Sequence, residues 1–371
     1  MSKTKYRFYF YFKTCLRKLG LLQHIKRVLT PILRAPNKSR LACVIDYFIR
    51  TANEQVNFSD RTDIHDLPPI YHYWSNKFLR PKLETYGYTD LDMFFVLNLE
   101  KCFSYDDTRV KRFVSLGAGN FDNEVRFAKL LLERGYSNFT IECLELNQDM
   151  LDRGKKFAEA SGMDNLVIPL QGDFNTWIPD KRYDAVIANQ SLHHVLELEH
   201  LFDAIKSSLG SNGYFITSDM IGRNYHLHWP EAMAIIQEFW HELPDNYRYN
   251  QHLKRHEKAL IIDENIEGWD FEGIRAQDIL PLAVERFHFE FFAGFANIID
   301  QFIGRDFGYH FDVNKEWDRD FIGRVHERDK QEMLSGHITP THMLAVMRNE
   351  PPKEFHYMDG MSPEQCIRHP D

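Results

Sequence analysis

The sequence predicts an α/β protein whose central sheet is mostly parallel and carries helices on both faces. From residue 110 onward, short β-branched and aromatic runs alternate with amphipathic segments of helical periodicity. Strands separated by helices of this length form right-handed crossovers, which make the strands parallel and distribute the helices over both faces. A glycine-rich turn stands between the first strand and the first helix, where open parallel sheets bind ligands.

The alternating region can be justified element by element. The strands are, in order, RFVSL, FTIECLEL, LVIPLQG, YDAVIAN and GYFITSD. The helices between them are NEVRFAKLLLERG, QDMLDRGKKFAEASG and LEHLFDAIKSSLG, and each is predicted to end at a glycine: Gly135, Gly162 and Gly210. After Ile221 the alternation stops, and residues 223–272 predict a helical, aromatic cap insertion. It resumes with the helix AQDILPLAVER, the strand FHFEFFAGF, the polar helix DRDFIGRVHERDKQEMLSG and the strand THMLAVMRN.

The segments outside this region complete the predicted domain organisation. Residues 41–57, 71–87 and 90–103 have helical patterns, and residues 41–107 therefore predict a helical N-terminal section that covers the site. The core is expected over residues 108–350, with the cap insertion inside it. Residues 351–371 are expected to form a C-terminal tail.

Composition excludes several classes of protein. Of 371 residues, 43% are apolar and 27% charged, which is typical of a globular protein and not of a disordered one. The five cysteines lie far apart with no CxxC pair, so a disulfide framework or thiolate zinc site is disfavoured and a reducing, cytoplasmic location is favoured. No run of 18 apolar residues predicts a membrane-spanning helix.

The first 40 residues differ in charge from the rest of the chain. They contain eleven Lys and Arg and no Asp or Glu, so the remaining residues carry −20, the total of −9 less these positive charges. Their apolar residues recur at helical spacing. Three interpretations stay open: packing on the protein itself, peripheral contact with an anionic membrane, and nucleic-acid binding.

The turn at residues 115–120, SLGAGN, restricts the ligand. Glycine lets a backbone approach a ligand closely, and the following helix presents unpaired N–H groups. A dinucleotide fold requires a third glycine, where this chain has Asp122, whose carboxylate would repel a pyrophosphate. The Walker pattern is also absent here. NAD, FAD and nucleoside triphosphates are therefore disfavoured.

Three further strand ends add polar residues at the same edge of the sheet. Glu145 at the tip of the second strand can accept both hydroxyls of a ribose. Asp173 after the third strand can accept the exocyclic amine of an adenine, with Phe174 beside the ring. The fourth strand ends at Asn189, which is expected at the floor of the cleft.

These segments resemble a known family, the class I S-adenosylmethionine-dependent methyltransferases. SLGAGN, ECLELN, QGDFN and YDAVIANQSLHHV are similar to its four motifs in both order and spacing. The resemblance covers residues 108–222 closely and 275–349 more loosely. It implies a Rossmann-like seven-stranded sheet in which THMLAVMRN is antiparallel, between the fifth and sixth strands, and it implies S-adenosyl-L-methionine as cofactor. The cofactor-binding residues it implies are Ser115, Gly117, Ala118, Gly119, Asn120, Glu145, Leu146, Asp173, Phe174 and Asn189.

Two positions depart from the family pattern. Ser115 stands where the family often has an acidic residue, and Phe121 stands where a third small residue is usual. Both departures concern the part of the turn that would face the amino-acid end of the cofactor.

The acceptor is less well defined. The fourth motif lacks the prolines and the aromatic residue of enzymes that methylate amino groups, and it is more similar to the small-molecule branch of the family. Candidate catalytic residues are His193, His194 and Asp219, since imidazole and carboxylate can remove a proton from a hydroxyl group. No metal site is assigned. A small-molecule or glycan acceptor with an oxygen nucleophile is favoured, while an RNA methyltransferase and a cofactor-binding scaffold without activity stay as alternatives.

Overall fold

In the computed structural model the described residues are 46, 47, 49–51, 67–104, 108–260 and 271–368. The chain divides into two compact units, residues 1–62 with 267–272, and residues 63–266 with 273–371. In the first unit residues 46, 47 and 49–51 are helical, and Arg50 Nε donates to Asp46 Oδ1 at 3.2 Å. The basic segment 1–40 and most of the predicted helix 41–57 lie outside the described residues. All elements below belong to the second unit.

The second unit begins with the helical segments predicted at 71–87 and 90–103. Helix α1 (Pro69–Trp74), a π-helical turn (Ser75–Leu79) and α2 (Arg80–Glu84) follow one another without a break. Helix α3 (Leu91–Glu100) begins after Asp90, whose side chain accepts a hydrogen bond from Met93 N at 2.8 Å, as expected of an N-cap.

The central sheet has the predicted topology. Its strands are β1 (Lys111–Leu116), β2 (Phe139–Glu145), β3 (Val167–Gln171), β4 (Tyr183–Asn189), β5 (Leu209–Met220), β8 (His288–Phe295), β9 (His342–Arg348) and β10 (His356–Tyr357). Their order is β10-β8-β9-β5-β4-β1-β2-β3, and β1 to β5 pair in parallel. Strand β9 is antiparallel to both β5 and β8, which confirms the expected position of THMLAVMRN. The two-residue β10, which pairs with β8, makes eight strands where seven were expected.

The helices of the alternating region follow the strands in the expected order. They are α4 (Asp122–Glu133), α5 (Gln148–Ala160), α6 (Leu198–Ser208), α7 (Pro230–Glu242), α8 (Ala276–Arg286), α9 (Asp300–Ile303) and α10 (Glu316–Leu334). Gly135 and Gly162 adopt positive φ angles, 92° and 68°, just after α4 and α5, as predicted. The predicted stop at Gly210 is wrong: α6 passes directly into β5, because Leu209 is already extended and buried.

The segment predicted as a helical cap is only partly helical. It contains α7, but β6 (Tyr249–Asn250) and β7 (Arg255–His256) form a two-stranded antiparallel ribbon. The turn between them is made by Asn250, whose Oδ1 accepts from the backbone N–H groups of His252 and Leu253. Such side-chain-to-backbone bonds favour a turn over a helix. Residues 261–270 lie outside the described ranges.

The hydrophobic core has three parts. Two lie on opposite faces of the sheet, around Phe202 and Phe215 on one face and Phe95 and Phe127 on the other. The third packs α7 and α10 against α1 and α9, with Trp74, Trp240, Phe302 and Phe321 inside. No helix in the described part of the chain is long and apolar enough to cross a membrane.

Candidate active site

The turn after β1 requires glycine. Gly117 and Gly119 have φ angles of 68° and 58°, in the left-handed region that glycine adopts at no steric cost. The N–H groups of Gly117 and Ala118 both donate to Leu144 O on β2, at 2.9 and 3.2 Å. A Cβ atom on Gly117 would lie 2.8 Å from Ser191 Cβ and 3.5 Å from Phe174 Cε1. The turn is therefore held closely between β2 and the loops that follow β3 and β4.

Phe121, one of the two departures from the family pattern, points away from this turn. It too has a positive φ angle, 65°, but its side chain is fully buried. The ring lies against Gly154 of α5, where an added Cβ would approach the ring to 2.5 Å. The absence of a side chain at Gly154 makes room for the phenylalanine, so the ring occupies the core.

The other departure, Ser115, is matched by a carboxylate from a helix. Ser115 Oγ donates to Glu124 Oε1 at 2.6 Å, and both residues are buried. Burial raises the pKa of Glu124 to about 7, although the bond from Ser115 opposes the shift. Glu124 Oε2 has no hydrogen-bond partner within the described ranges.

The sequence interpretation did not single out Glu124. The sequence pattern nevertheless indicates that Glu124 is buried, because it lies on the apolar face of α4, at helical spacing from Phe127, Ala128 and Leu131. A carboxylate on such a stripe is buried when the helix packs.

Glu145 lies at the tip of β2, directly across the turn. Its Oε2 accepts from Gly119 N at 3.0 Å, and its Oε1 accepts from Asn147 N at 2.8 Å. Asn147 in turn caps α5 by accepting from Asp149 N. These contacts fix the carboxylate of Glu145 beside the turn at the carboxyl end of β2.

The third and fourth strands contribute to the same cleft. Asp173 and Phe174 follow β3, and the ring of Phe174 borders Gly117. Asn189 ends β4, and its Oδ1 is buried without a hydrogen-bond partner among the described residues, as is Ser191 Oγ. A buried polar group without a partner costs about 1–3 kcal/mol, so these atoms suit a polar ligand bound beside the turn. The glycine turn, the acidic strand tip and these polar atoms fit a nucleoside-containing cofactor.

His193 and Asp219 form a buried pair at the carboxyl ends of β4 and β5. Asp219 Oδ1 lies 2.7 Å from His193 Nδ1, and Asp219 is fully buried. Asp219 Oδ2 also accepts from the N–H groups of Ser191 and Leu192, at 2.9 and 2.7 Å. Burial alone would raise the pKa of Asp219, but His193 and the N–H groups of Leu192 and Met220 lower it below its ordinary value.

This geometry separates the roles of the two residues. The carboxylate of Asp219 is enclosed in the core, whereas the ring of His193 lies on its Oδ1 side. Because Asp219 accepts from Nδ1, the neutral imidazole carries its proton on that nitrogen.

The other histidines have different surroundings. The ring of His194 lies 4.3 Å from that of His193, and the ring of His226 lies 5.3 Å from it. His228 Nδ1 contacts Asn297 Oδ1 at 3.3 Å.

A second histidine–carboxylate pair was not found from the sequence. Asp300 at the start of α9 lies 3.3 Å from His342 Nδ1 at the start of β9, and accepts from Thr341 Oγ1. His342 pairs with Met220 at the end of β5, so this pair shares the edge of the sheet with His193. The two side chains keep 23% and 18% exposure, so solvent can reach them. Asp300 and His342 are far apart in the sequence and meet because β8 and β9 pair in the sheet, so no short sequence motif contains both.

Comparison with known proteins identifies the domain. Residues 117–217 match a family model described as a methyltransferase domain. No curated protein sequence matches the chain significantly. The match begins at Gly117 and ends in β5, so it includes Glu145, Asp173, Asn189 and His193.

Three solved structures are similar in fold. The O-methyltransferase of a trans-AT PKS multienzyme of Brevibacillus brevis, in complex with S-adenosyl-L-homocysteine, is 12% identical, with 82% of this chain and 88% of that chain covered and a TM-score of 0.42. A geranyl diphosphate methyltransferase in complex with SAM is 12% identical over 70% and 84% of the chains, with a TM-score of 0.39. An S-adenosylmethionine-dependent methyltransferase from Clostridium acetobutylicum ATCC 824 is 16% identical over 42% and 57%, with a TM-score of 0.29.

The matched domain, the strand order and the cleft define the class of protein. The chain contains a Rossmann-like methyltransferase domain with an antiparallel strand between the fifth and sixth strands of its sheet. This domain holds the glycine turn and the strand ends that line the cleft.

Proposed function

We propose that the protein transfers a methyl group to a hydroxyl oxygen of a small-molecule or glycan acceptor. The observation that carries this proposal is the pair formed by His193 and Asp219, which lies beside the turn of Gly117 and Gly119. A hydroxyl is a weak nucleophile until it loses its proton, so its methylation gains most from a positioned base.

His193 acts as this base. S-adenosyl-L-methionine, when bound, supplies an electrophilic methyl group. Nε2 of His193 accepts the proton of the hydroxyl, and the carboxylate of Asp219 holds the ring and stabilises the imidazolium that forms. General-base catalysis of this kind contributes about 10²–10⁴-fold to the rate. His194, whose ring contacts that of His193, is assigned to the wall of the acceptor cleft.

The cofactor contacts are assigned by position in the cleft. Ser115, Gly117, Ala118, Gly119 and Asn120 border the methionine end, and Glu145 with Leu146 borders the ribose. Asp173 and Phe174 receive the adenine, and Asn189 provides a polar oxygen at the floor. Contacts from four adjacent strand ends support this arrangement, because ligands of open parallel sheets bind at that edge.

The acceptor side is polar. Asp300 and His342 lie at the same sheet edge as the base, and Asp219 and His193 both influence the pKa of His342, which lies above its ordinary value. Burial, the largest influence, lowers that pKa, but the combined effects of Asp300 and Asp219 raise it above its ordinary value. A charged and hydrogen-bonding wall of this kind favours a hydroxylated acceptor over a hydrocarbon one.

Transfer of a radioactive methyl group tests the proposal. The protein is incubated with methyl-labelled S-adenosylmethionine and a small-molecule extract, and the labelled product is examined for a methyl ether. His193→Gln should lower transfer at least 100-fold while S-adenosylhomocysteine still binds. His337→Gln, at an exposed position, serves as the matched control. Label recovered in RNA and removed by ribonuclease, or transfer unchanged in His193→Gln, would contradict the proposal.

A further inference from the structure

Asn175 lies between the loop after β3 and the segment that precedes α6. The side chain is 3% exposed. Its backbone N and its Nδ2 both donate to Asp173 Oδ1, at 2.9 and 3.2 Å. Its Oδ1 accepts from the backbone N–H groups of Leu196 and Glu197, at 2.8 and 3.0 Å. One side chain therefore contacts both the residue assigned to adenine and the chain just beyond His193.

These contacts require an amide at this position. The two N–H groups of Leu196 and Glu197 need an acceptor, while the carboxylate of Asp173 needs a donor, and an amide provides one of each. The opposite amide orientation would place NH₂ against two N–H donors, so the network fixes the orientation. An aspartate would retain the acceptor but place a second carboxylate beside Asp173.

The two loops are joined at a second point, which makes the connection stiff. His200 Nε2 lies 3.0 Å from Trp177 O, so the β3 loop contacts the first turns of α6 as well. The 3₁₀ turn Leu192–His194 ends two residues before Leu196 in the chain. A displacement of Asp173 would therefore be passed on to the segment that holds His193.

We infer that Asn175 is a positioning residue that couples recognition of the adenine to the placement of His193. This inference rests on the proposed role of Asp173 as acceptor of the adenine amine. Asn175 sets the rotation of the Asp173 carboxylate through two hydrogen bonds, and with its other end it fixes the exit from the turn that carries His193.

The first test compares S-adenosylhomocysteine with S-inosylhomocysteine, in which an oxo group replaces the adenine amine. The wild type should prefer S-adenosylhomocysteine by tenfold or more, the effect of one charge-assisted hydrogen bond. In Asn175→Asp the preference should fall below about threefold, whereas Ile178→Ala, at an exposed position in the same loop, should keep it. If Asn175→Asp does not fold, Asn175→Ser is measured in its place.

The second test follows His193 itself. The imidazole signal of His193, assigned by its loss in His193→Gln, should shift when S-adenosylhomocysteine binds the wild type. In Asn175→Ser the shift should be less than half as large, because Leu196 and Glu197 lose their acceptor. A purely structural role would lower the affinity for both ligands equally and leave the shift unchanged.

The outcomes are separable. If the wild type does not distinguish the two ligands, Asp173 does not receive the amine, and both the proposed adenine site and this inference fail. If the wild type distinguishes them and a folded Asn175→Asp does so equally, only the inference about Asn175 fails. An undiminished His193 shift in Asn175→Ser overturns the coupling to the base.

Discussion

Replacement of Glu124 by glutamine should make the stability of the protein less sensitive to pH. Glu124 is buried beneath the turn of Gly117 and Gly119, with its Oε1 bonded to Ser115 and its pKa raised to about 7 from 4.5. A group whose pKa is raised by folding contributes stability below its unfolded pKa, and that contribution is lost as the pH rises through the folded value. Glutamine resembles the protonated acid, so it retains the acceptor for Ser115 and does not titrate.

The magnitude follows from the shift. One pKa unit corresponds to about 1.4 kcal/mol, so a shift of roughly 2.5 units corresponds to about 3 kcal/mol in total. Most of this falls between the unfolded and folded values. Between pH 5.5 and pH 8 the wild type should therefore lose about 2 kcal/mol relative to Glu124→Gln.

Urea unfolding at pH 5.5, 6.5, 7.5 and 8 measures the difference. The free energy of unfolding of Glu124→Gln minus that of the wild type should become more positive with each step. Glu133→Gln, at an exposed position on the same helix, provides the control and should show no such trend. A difference that stays constant over this range would show that Glu124 does not carry a proton in the folded state, and would refute the reasoning.

Three further results are expected. Asp219→Asn should lower methyl transfer by roughly 100-fold or more, because His193 loses the partner that fixes its tautomer, while the Kd of S-adenosylhomocysteine in calorimetry stays within about threefold. His326, which accepts from Trp74 Nε1, has a pKa lowered to about 4, first by burial and then by nearby lysines, so the wild type should lose stability as the pH falls from 6.5 to 4. His326→Gln keeps an acceptor but does not titrate, so its free energy of unfolding, measured with urea, should change less with pH over that range. Gly154→Ala should destabilise by about 1–3 kcal/mol in spite of the better helix propensity of alanine, because the new Cβ would lie 2.5 Å from the ring of Phe121.

Each of these has a result that contradicts it. Full activity of Asp219→Asn would show that His193 does not need the Asp219 carboxylate to act as a base. An equal loss of unfolding free energy between pH 6.5 and 4 in wild type and His326→Gln would show that folding does not lower the pKa of His326. A stabilised Gly154→Ala would mean that the Phe121 ring is not held against α5.

The sheet could be predicted from the sequence because each of its signals is local. Apolar strands, amphipathic helices and the stops at Gly135 and Gly162 are short-range patterns, and the parallel topology follows from them. The prediction that α6 ends at Gly210 was wrong for an equally local reason. A glycine ends a helix where it adopts a left-handed conformation, but here the buried strand β5 already begins at Leu209.

The candidate site was predictable only where its residues stand at strand ends. Glu145 and Asn189 end strands, and Asp173 and His193 lie in the loops after strands, so the edge of the sheet brings them together. Glu124 was missed because it stands within a helix, and its burial depends on how that helix packs. Asp300 and His342 were missed because 42 residues separate them and only the antiparallel insertion of β9 brings them into contact.

Calorimetric titration with S-adenosylhomocysteine tests the central claim, that this cleft binds the cofactor, most directly. The wild type should bind one equivalent, and Glu145→Gln should bind more than tenfold more weakly, because a charge-assisted contact to the ribose becomes a neutral one. Glu159→Gln, at an exposed position on α5, should bind like the wild type. No binding to folded wild type, or equal binding by Glu145→Gln, would contradict the assignment of the cofactor to this cleft.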